Sequence, residues 1–128
     1  EYTTQEIDEI IDIITSISFN NNNYKELTNR NAMIVRDADR LDAIGSIGII
    51  RTIQYGTSKN RPFYEDVNIK KVNGKYIFNV STNTTLSHFY DKLLKLENLM
   101  HTPYAKTMAR ERTKIIEMFL EHFYDELE

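Results

Sequence analysis

The chain has 128 residues, 41% of them hydrophobic and 11% aromatic, which suffices for one core of ordinary single-domain size. Its 16 basic and 19 acidic residues leave a formal net charge of −3, excluding a general electrostatic attraction to nucleic acid or to an anionic membrane. Cysteine is absent, so disulfides and thiolate metal sites are excluded and any metal must be held by His, Asp or Glu. No apolar run approaches the roughly 20 residues that span a bilayer, and no signal-peptide pattern opens the chain, so a soluble, cytoplasmic protein is expected.

Taken in order, "TTQEIDEIIDIITSISF" spaces Ile7, Ile10, Ile11, Ile14 and Ile17 for a helix from about Thr4 to Ser18, with Thr3 and Glu6 forming a capping box. The asparagine run that follows reads as a solvated loop, because Asn competes for backbone hydrogen bonds and favours turns. From Asn31 to about Tyr55 the pattern is helical again, and Gly56 and Pro62 break it. Asn73-Gly74 between two short runs rich in Val, Ile, Tyr and Phe predicts a β-hairpin within about Val67 to Val80. "TTLSHFYDKLLKLENLM" and "TPYAKTMARERTKIIEMFLEHFYDEL" read as two further helices, the second opened by Pro103. The expected fold is an all-α bundle with a small β-hairpin excursion, a single domain over residues 1–128.

"IVRDADRLDAIGSIGIIRTIQYG" places acid inside an otherwise apolar helix. At about 100° per residue, Asp37, Leu41, Ile44 and Gly48 share one stripe, whereas Asp39 and Asp42 point away from it. Gly45 and Gly48 permit close approach to the backbone, at a helix-propensity cost of about 1 kcal/mol each. A buried carboxylate needs a partner. For Asp37 an ion pair with Arg40 or Arg51 and a metal or catalytic role both remain open.

The stretch "RDADRLDAIGSIGIIRTIQYG" resembles a helix of a bacterial, single-domain subgroup of HD-domain phosphohydrolases. The resemblance continues through "KNRPFYED" and "SHFYDKLLKLENLMHTPYAKTMARER", covers essentially the whole chain, and is most specific from Ile34 to Tyr55. It implies an all-helical fold that binds one divalent metal (Mn, Mg or similar) through a His, a His-Asp pair and a distant Asp, here Asp37. It also implies hydrolysis of a phosphate ester or anhydride, with nucleotides as the expected substrates. The pattern departs from the family in one respect: His88, His101 and His122 precede Phe89, Thr102 and Phe123, so no His-Asp dipeptide occurs. The chain therefore resembles the C-terminal part of such a protein. N-terminal helices, or a partner chain, are expected to complete the metal shell and to cover the dense isoleucine pattern of the first helix.

Four residues stand as candidate phosphate contacts. His88 matches the histidine of the family's H-F-Y-x-K-L segment, Lys92 follows one turn later, and Lys59 and Arg61 sit in a loop, where binding residues collect. The bland alternatives are a hydrogen-bonded structural histidine and ordinary surface charge. Arg40 is placed behind Asp37 as a support tied to a neighbouring acid. Two readings stand: a metal-dependent nucleotide phosphohydrolase, and a non-catalytic helical interaction module that has lost its metal site. The nucleotide, the leaving group, the metal and the oligomeric state are open to both.

Overall fold

The computed structural model describes residues 1–17 and 27–127, so the loop expected at the asparagine run lies almost wholly outside the described residues. The expected capping box opens α1 (Thr4–Ile17): the Thr3 N–H donates to the Glu6 carboxylate at 2.7 Å, and the Glu6 N–H donates to the Thr3 hydroxyl at 3.3 Å. No residue of α1 is buried, and Ile7, Ile10, Ile11 and Ile14 keep an apolar face exposed. Asn29 caps α2 (Arg30–Asp42) by accepting from the Asn31 and Ala32 N–H groups.

Where one helix is expected from Asn31 to Tyr55, the chain forms two. Ile44 is extended and Gly45 takes the left-handed conformation with φ +74°, so α2 ends at Asp42 and α3 (Gly45–Ser58) leaves in a new direction. Burial decides this corner. Ile44 is only 1% exposed, and a Cβ on Gly45 would lie 3.1 Å from Cγ of Arg112, whose guanidinium donates to the Leu41 carbonyl. The predicted stripe through Gly48 is therefore folded back on itself, and a Cβ on Gly48 would sit 2.3 Å from the Ala43 carbonyl oxygen.

Gly56, expected to break the helix, lies buried inside α3. The helix stops instead at Lys59 and Asn60, the latter at φ +53°. The predicted hairpin forms from β1 (Ile69–Val72) and β2 (Lys75–Phe78), paired antiparallel from Ile69 opposite Phe78 to Val72 opposite Lys75. Asn73 at φ +50° and Gly74 at φ +82° supply the two left-handed residues of a type I′ turn. Phe78 stacks on Tyr90 with ring centres 3.9 Å apart. Asn68, fully buried just before β1, accepts from the Glu65 N–H and the Thr84 hydroxyl and donates to the Val80 carbonyl, fastening the hairpin's base to the helix that follows.

That helix, α4 (Thr85–Asp91), is shorter than expected. The backbone breaks at Lys92 and continues as a 3₁₀ segment (Leu93–Leu99), which turns Leu93 and Leu96 into the core. Pro103 opens α5 (Pro103–Asp125), capped by the Thr102 hydroxyl, and Ile116 and Leu120 pack with Ile44, Leu86, Phe89 and Leu93. Among the described residues the fold is thus all-α with one two-stranded sheet, as expected from the sequence.

A Cβ at Gly56 would meet the Thr85 hydroxyl oxygen at 2.0 Å, so α3 and α4 touch at this point. Helix propensity alone favours Gly56→Ala by about 1 kcal/mol, but the clash outweighs it, and a net loss of about 1–2 kcal/mol is expected in urea denaturation. Combining it with Thr85→Ala should recover most of that loss; a neutral or stabilising single variant would contradict the close crossing.

Candidate functional site

The crossing of α3 and α4 leaves a cleft of about 530 Å³ on one side of the bundle. Three of the four candidate phosphate contacts converge on it: Arg61 from the loop after α3, His88 from α4 and Lys92 at the end of α4. Lys59 does not line the cleft, but its ammonium lies 5.6 Å from the ring centre of Tyr55, which does. The Arg61 guanidinium approaches the same ring at the same distance. Among the described residues no carboxylate lines the cleft, a marked local departure from the chain's overall acidity.

Electrostatics at His88 register this surplus of positive charge. Burial pushes its imidazole below the ordinary value, and the Lys92 and Arg61 cations push it further in the same direction against the opposing charge of Asp91. His88 is therefore a neutral imidazole near neutral pH, able to donate one hydrogen bond and to gain a proton when an anion arrives. Sequence reasoning missed Arg51, Thr52, Gln54 and Tyr55, which line the cleft from α3. The signal was there in the helical spacing from Gly48 through Arg51 and Thr52 to Tyr55, one face of α3. Arg51 pairs with Asp42 at the solvent-exposed rim.

Asp37 belongs to a different cluster and is not among the cleft's lining residues. Only 2% exposed, its carboxylate accepts the His101 N–H at 2.8 Å through Oδ1 and the Thr102 N–H at 2.7 Å through Oδ2. These donors precede α5, so the carboxylate also sits where that helix's dipole favours negative charge. Neither arginine suggested as its ion-pair partner takes that place: Arg51 turns to Asp42, and Arg40 donates to the Leu99 carbonyl. Arg40 Nη1 also lies 3.5 Å from His101 Nε2. Burial lowers the His101 pKa, Asp37 opposes that shift, and Arg40 adds to it.

The sequence matches none of the known protein-family profiles. It is 33% identical over 115 residues to YpgQ of Bacillus subtilis, a match covering 88% of this chain and 49% of that protein. The crystal structure of Lin1889 from Listeria innocua is 39% identical, with a TM-score of 0.78 over 98% of this chain and 58% of that one. A crystal structure described as an HD-superfamily hydrolase from Bacillus thuringiensis is 34% identical, with a TM-score of 0.71 over 99% of this chain and 56% of that one. YpgQ has also been crystallised in complex with ADP; that structure is 28% identical, with a TM-score of 0.75 over 98% of this chain and 57% of its own. The chain thus shares the fold of an HD-superfamily hydrolase and spans about half the length of the curated relative it matches.

HD-superfamily hydrolases use divalent metals, and the described residues do not by themselves fit one. No group of three or more His, Asp or Glu side chains among them is placed to hold an ion, and Asp37, whose oxygens each accept one backbone N–H and keep a further lone pair, could offer only one ligand of a set. The helices of the described residues also include none long and apolar enough to cross a membrane.

Asp37→Ala should consequently act on stability as well as on any chemistry. It strips two partly buried N–H groups of their acceptors, for a loss of about 2–4 kcal/mol in denaturant unfolding. Asp37→Asn keeps one acceptor oxygen and should lose distinctly less. Equal stability of Asp37→Ala and the parent chain would show that the α5 start does not depend on this carboxylate.

Proposed function

We propose that this chain forms part of a metal-dependent phosphohydrolase of the HD subgroup marked by the D-A-D-R-L-D-A-I-G stretch, acting on phosphate ester or anhydride bonds of nucleotides. The observation that carries the reading is the convergence of Arg61, Lys92 and His88 on a cleft without a carboxylate among its described lining residues. The ADP complex of the Bacillus subtilis relative supports a nucleotide as the occupant.

In this reading the planar Arg61 guanidinium holds phosphate oxygens in pairs, and Lys92 supplies a compact charge that follows them. His88 donates through its neutral ring and takes up a proton as negative charge accumulates. Lys59 strengthens the field at the mouth. Asp37 would supply one ligand to a divalent metal such as Mn or Mg, with Arg40 and its bond to Leu99 bracing the segment that Asp37 grips. The remaining ligands would come from outside these 128 residues, on further helices or on another copy of the protein.

A second reading, a non-catalytic helical interaction module, is favoured by one observation: the buried Asp37 carboxylate serves the fold itself, accepting the His101 and Thr102 N–H groups. Turnover separates the two. The natural polypeptide supplied with Mn should release phosphate or pyrophosphate from nucleoside triphosphates, and Asp37→Asn should lower the rate by orders of magnitude. No turnover across a nucleotide panel, with a protein partner bound, would establish the module.

Binding tests the cleft independently of catalysis. Calorimetric titration of ADP should show Arg61→Ala and Lys92→Ala each weakening affinity about tenfold or more, because each removes a charge-assisted contact. With sulfate, an anion that does not titrate in this range, affinity should rise as pH falls below neutrality and level off only below the lowered pKa of free His88, which lies under the ordinary imidazole value, because the bound anion stabilises protonated His88. His88→Gln should flatten that dependence; an unchanged profile would remove His88 from the site.

A further inference from the structure

The loop that carries Lys59 and Arg61 is fastened at both ends by its backbone. On the α3 side the Lys59 N–H donates to the Tyr55 and Gly56 carbonyls, Asn60 reverses the chain at φ +53°, and the Arg61 N–H returns to the Gly56 carbonyl at 2.9 Å. On the α4 side the Pro62 carbonyl accepts from the Thr85 N–H at 3.0 Å and the Phe63 carbonyl from the Leu86 N–H at 2.7 Å. The main chain is thereby set, but two long cationic side chains remain to be aimed. Both lie against one aromatic ring: the Lys59 ammonium and the Arg61 guanidinium are each 5.6 Å from the centre of Tyr55. Tyr55 itself lines the cleft and is 53% exposed, so the core does not account for its large ring.

We infer that Tyr55 is a positioning residue whose ring holds Lys59 and Arg61 together at the mouth of the cleft as one preorganised clamp for the phosphates of the substrate. The inference rests on the phosphate-binding reading of that cleft. Two like charges brought to one place repel, and each long side chain loses rotamer freedom when it grips an anion. The electron-rich face of the ring offsets the repulsion and settles part of the ordering before the anion arrives. The chemistry recognised is a phosphate group presenting several oxygens to two cations, and the ring itself makes no contact with the reacting atoms.

Inorganic pyrophosphate titrated calorimetrically into the whole chain, with melting temperature followed in parallel, tests the inference. Tyr55→Leu should weaken binding about tenfold with little change in melting temperature, since two weak cation–ring contacts are lost at an exposed position. Tyr55→Phe keeps the ring and should rescue most of the affinity. In a Lys59→Ala/Arg61→Ala background, Tyr55→Leu should cost nothing further, because the clamp it organises is already gone. Wild-type affinity in Tyr55→Leu, an equal loss in Tyr55→Phe, or an undiminished effect in the double-alanine background would each overturn the inference. The cleft reading fails separately, if Arg61→Ala and Lys92→Ala leave pyrophosphate affinity unchanged, and a parent chain that binds no pyrophosphate overturns both.

Discussion

The grip of the Asp37 carboxylate on the start of α5 is the constraint around which the bundle is arranged. α5 is the longest helix described, and its first turn presents N–H groups that nothing within the helix can satisfy. Two N–H groups just before it go to Asp37, the Thr102 hydroxyl caps the Ala105 N–H, and the Pro103 position has no N–H to satisfy. Asp37 and Arg40 share one face of α2, three residues apart, and between them bind Leu99, His101 and Thr102. α2 thus fixes where the 3₁₀ segment ends and where α5 begins, and the register of Ile116 and Leu120 in the core follows from that.

The second attachment of α2 to α5 shapes the face that carries the cleft. Arg112 reaches back from α5 to the Leu41 carbonyl, and its stem fills the space that a side chain at Gly45 would need. The corner between α2 and α3 is held there, sending α3 across α4 with Gly56 against Thr85. Gly48 and Gly56 both line the cleft, so the residues that permit the close approaches also leave room beside them for a ligand. The positive charge on this face comes from three separate segments that the corner and the crossing bring together. A chain with an overall net charge of −3 in this way gathers cationic side chains around one cleft.

What the sequence made legible is what local physics decides. The Thr3–Glu6 box, the Asn73-Gly74 turn and Pro103 at the head of α5 each depend on a few neighbouring residues, and each appears as read. The corner at Gly45 and the break at Lys92 are set by the burial of Ile44 and Leu93 against distant partners, and helical periodicity runs straight through both. Gly56 shows the same limit: punctuation in sequence, a contact point in space. At the candidate site, the cationic character of Arg61, His88 and Lys92 was readable from the residues and from their resemblance to a family segment. Their company with Gln54 and Tyr55 was not, because it requires the α3–α4 crossing. Asp37 was legible as a buried acid on an apolar stripe, yet its partners are main-chain N–H groups, which no side-chain pattern announces.

α1 poses a problem that bears on the same carboxylate. Among the described residues its hydrogen bonds to α2 and the α2 cap are exposed or only part-buried, and Ile13 and Ile17 are its half-buried isoleucines: Glu9 accepts from the Asn29 and Asn31 amides, and Arg36 donates to the Ser16 carbonyl. Such contacts are worth little in water, whereas Ile14 alone stands 63% exposed and Ile7, Ile10 and Ile11 widen the apolar face. A neighbouring α2 adds Ile34 and Val35 to the exposed apolar surface and, on its buried side, carries Asp37. This chain spans about half the length of the curated relative it matches. Under the proposed function, helices supplied by the remainder of the protein or by another copy would answer both needs, removing the isoleucine face from water and bringing further ligands towards α2. Burial of those isoleucines would provide the free energy that holds such ligands in place, which a lone carboxylate already bonded to two N–H groups does not.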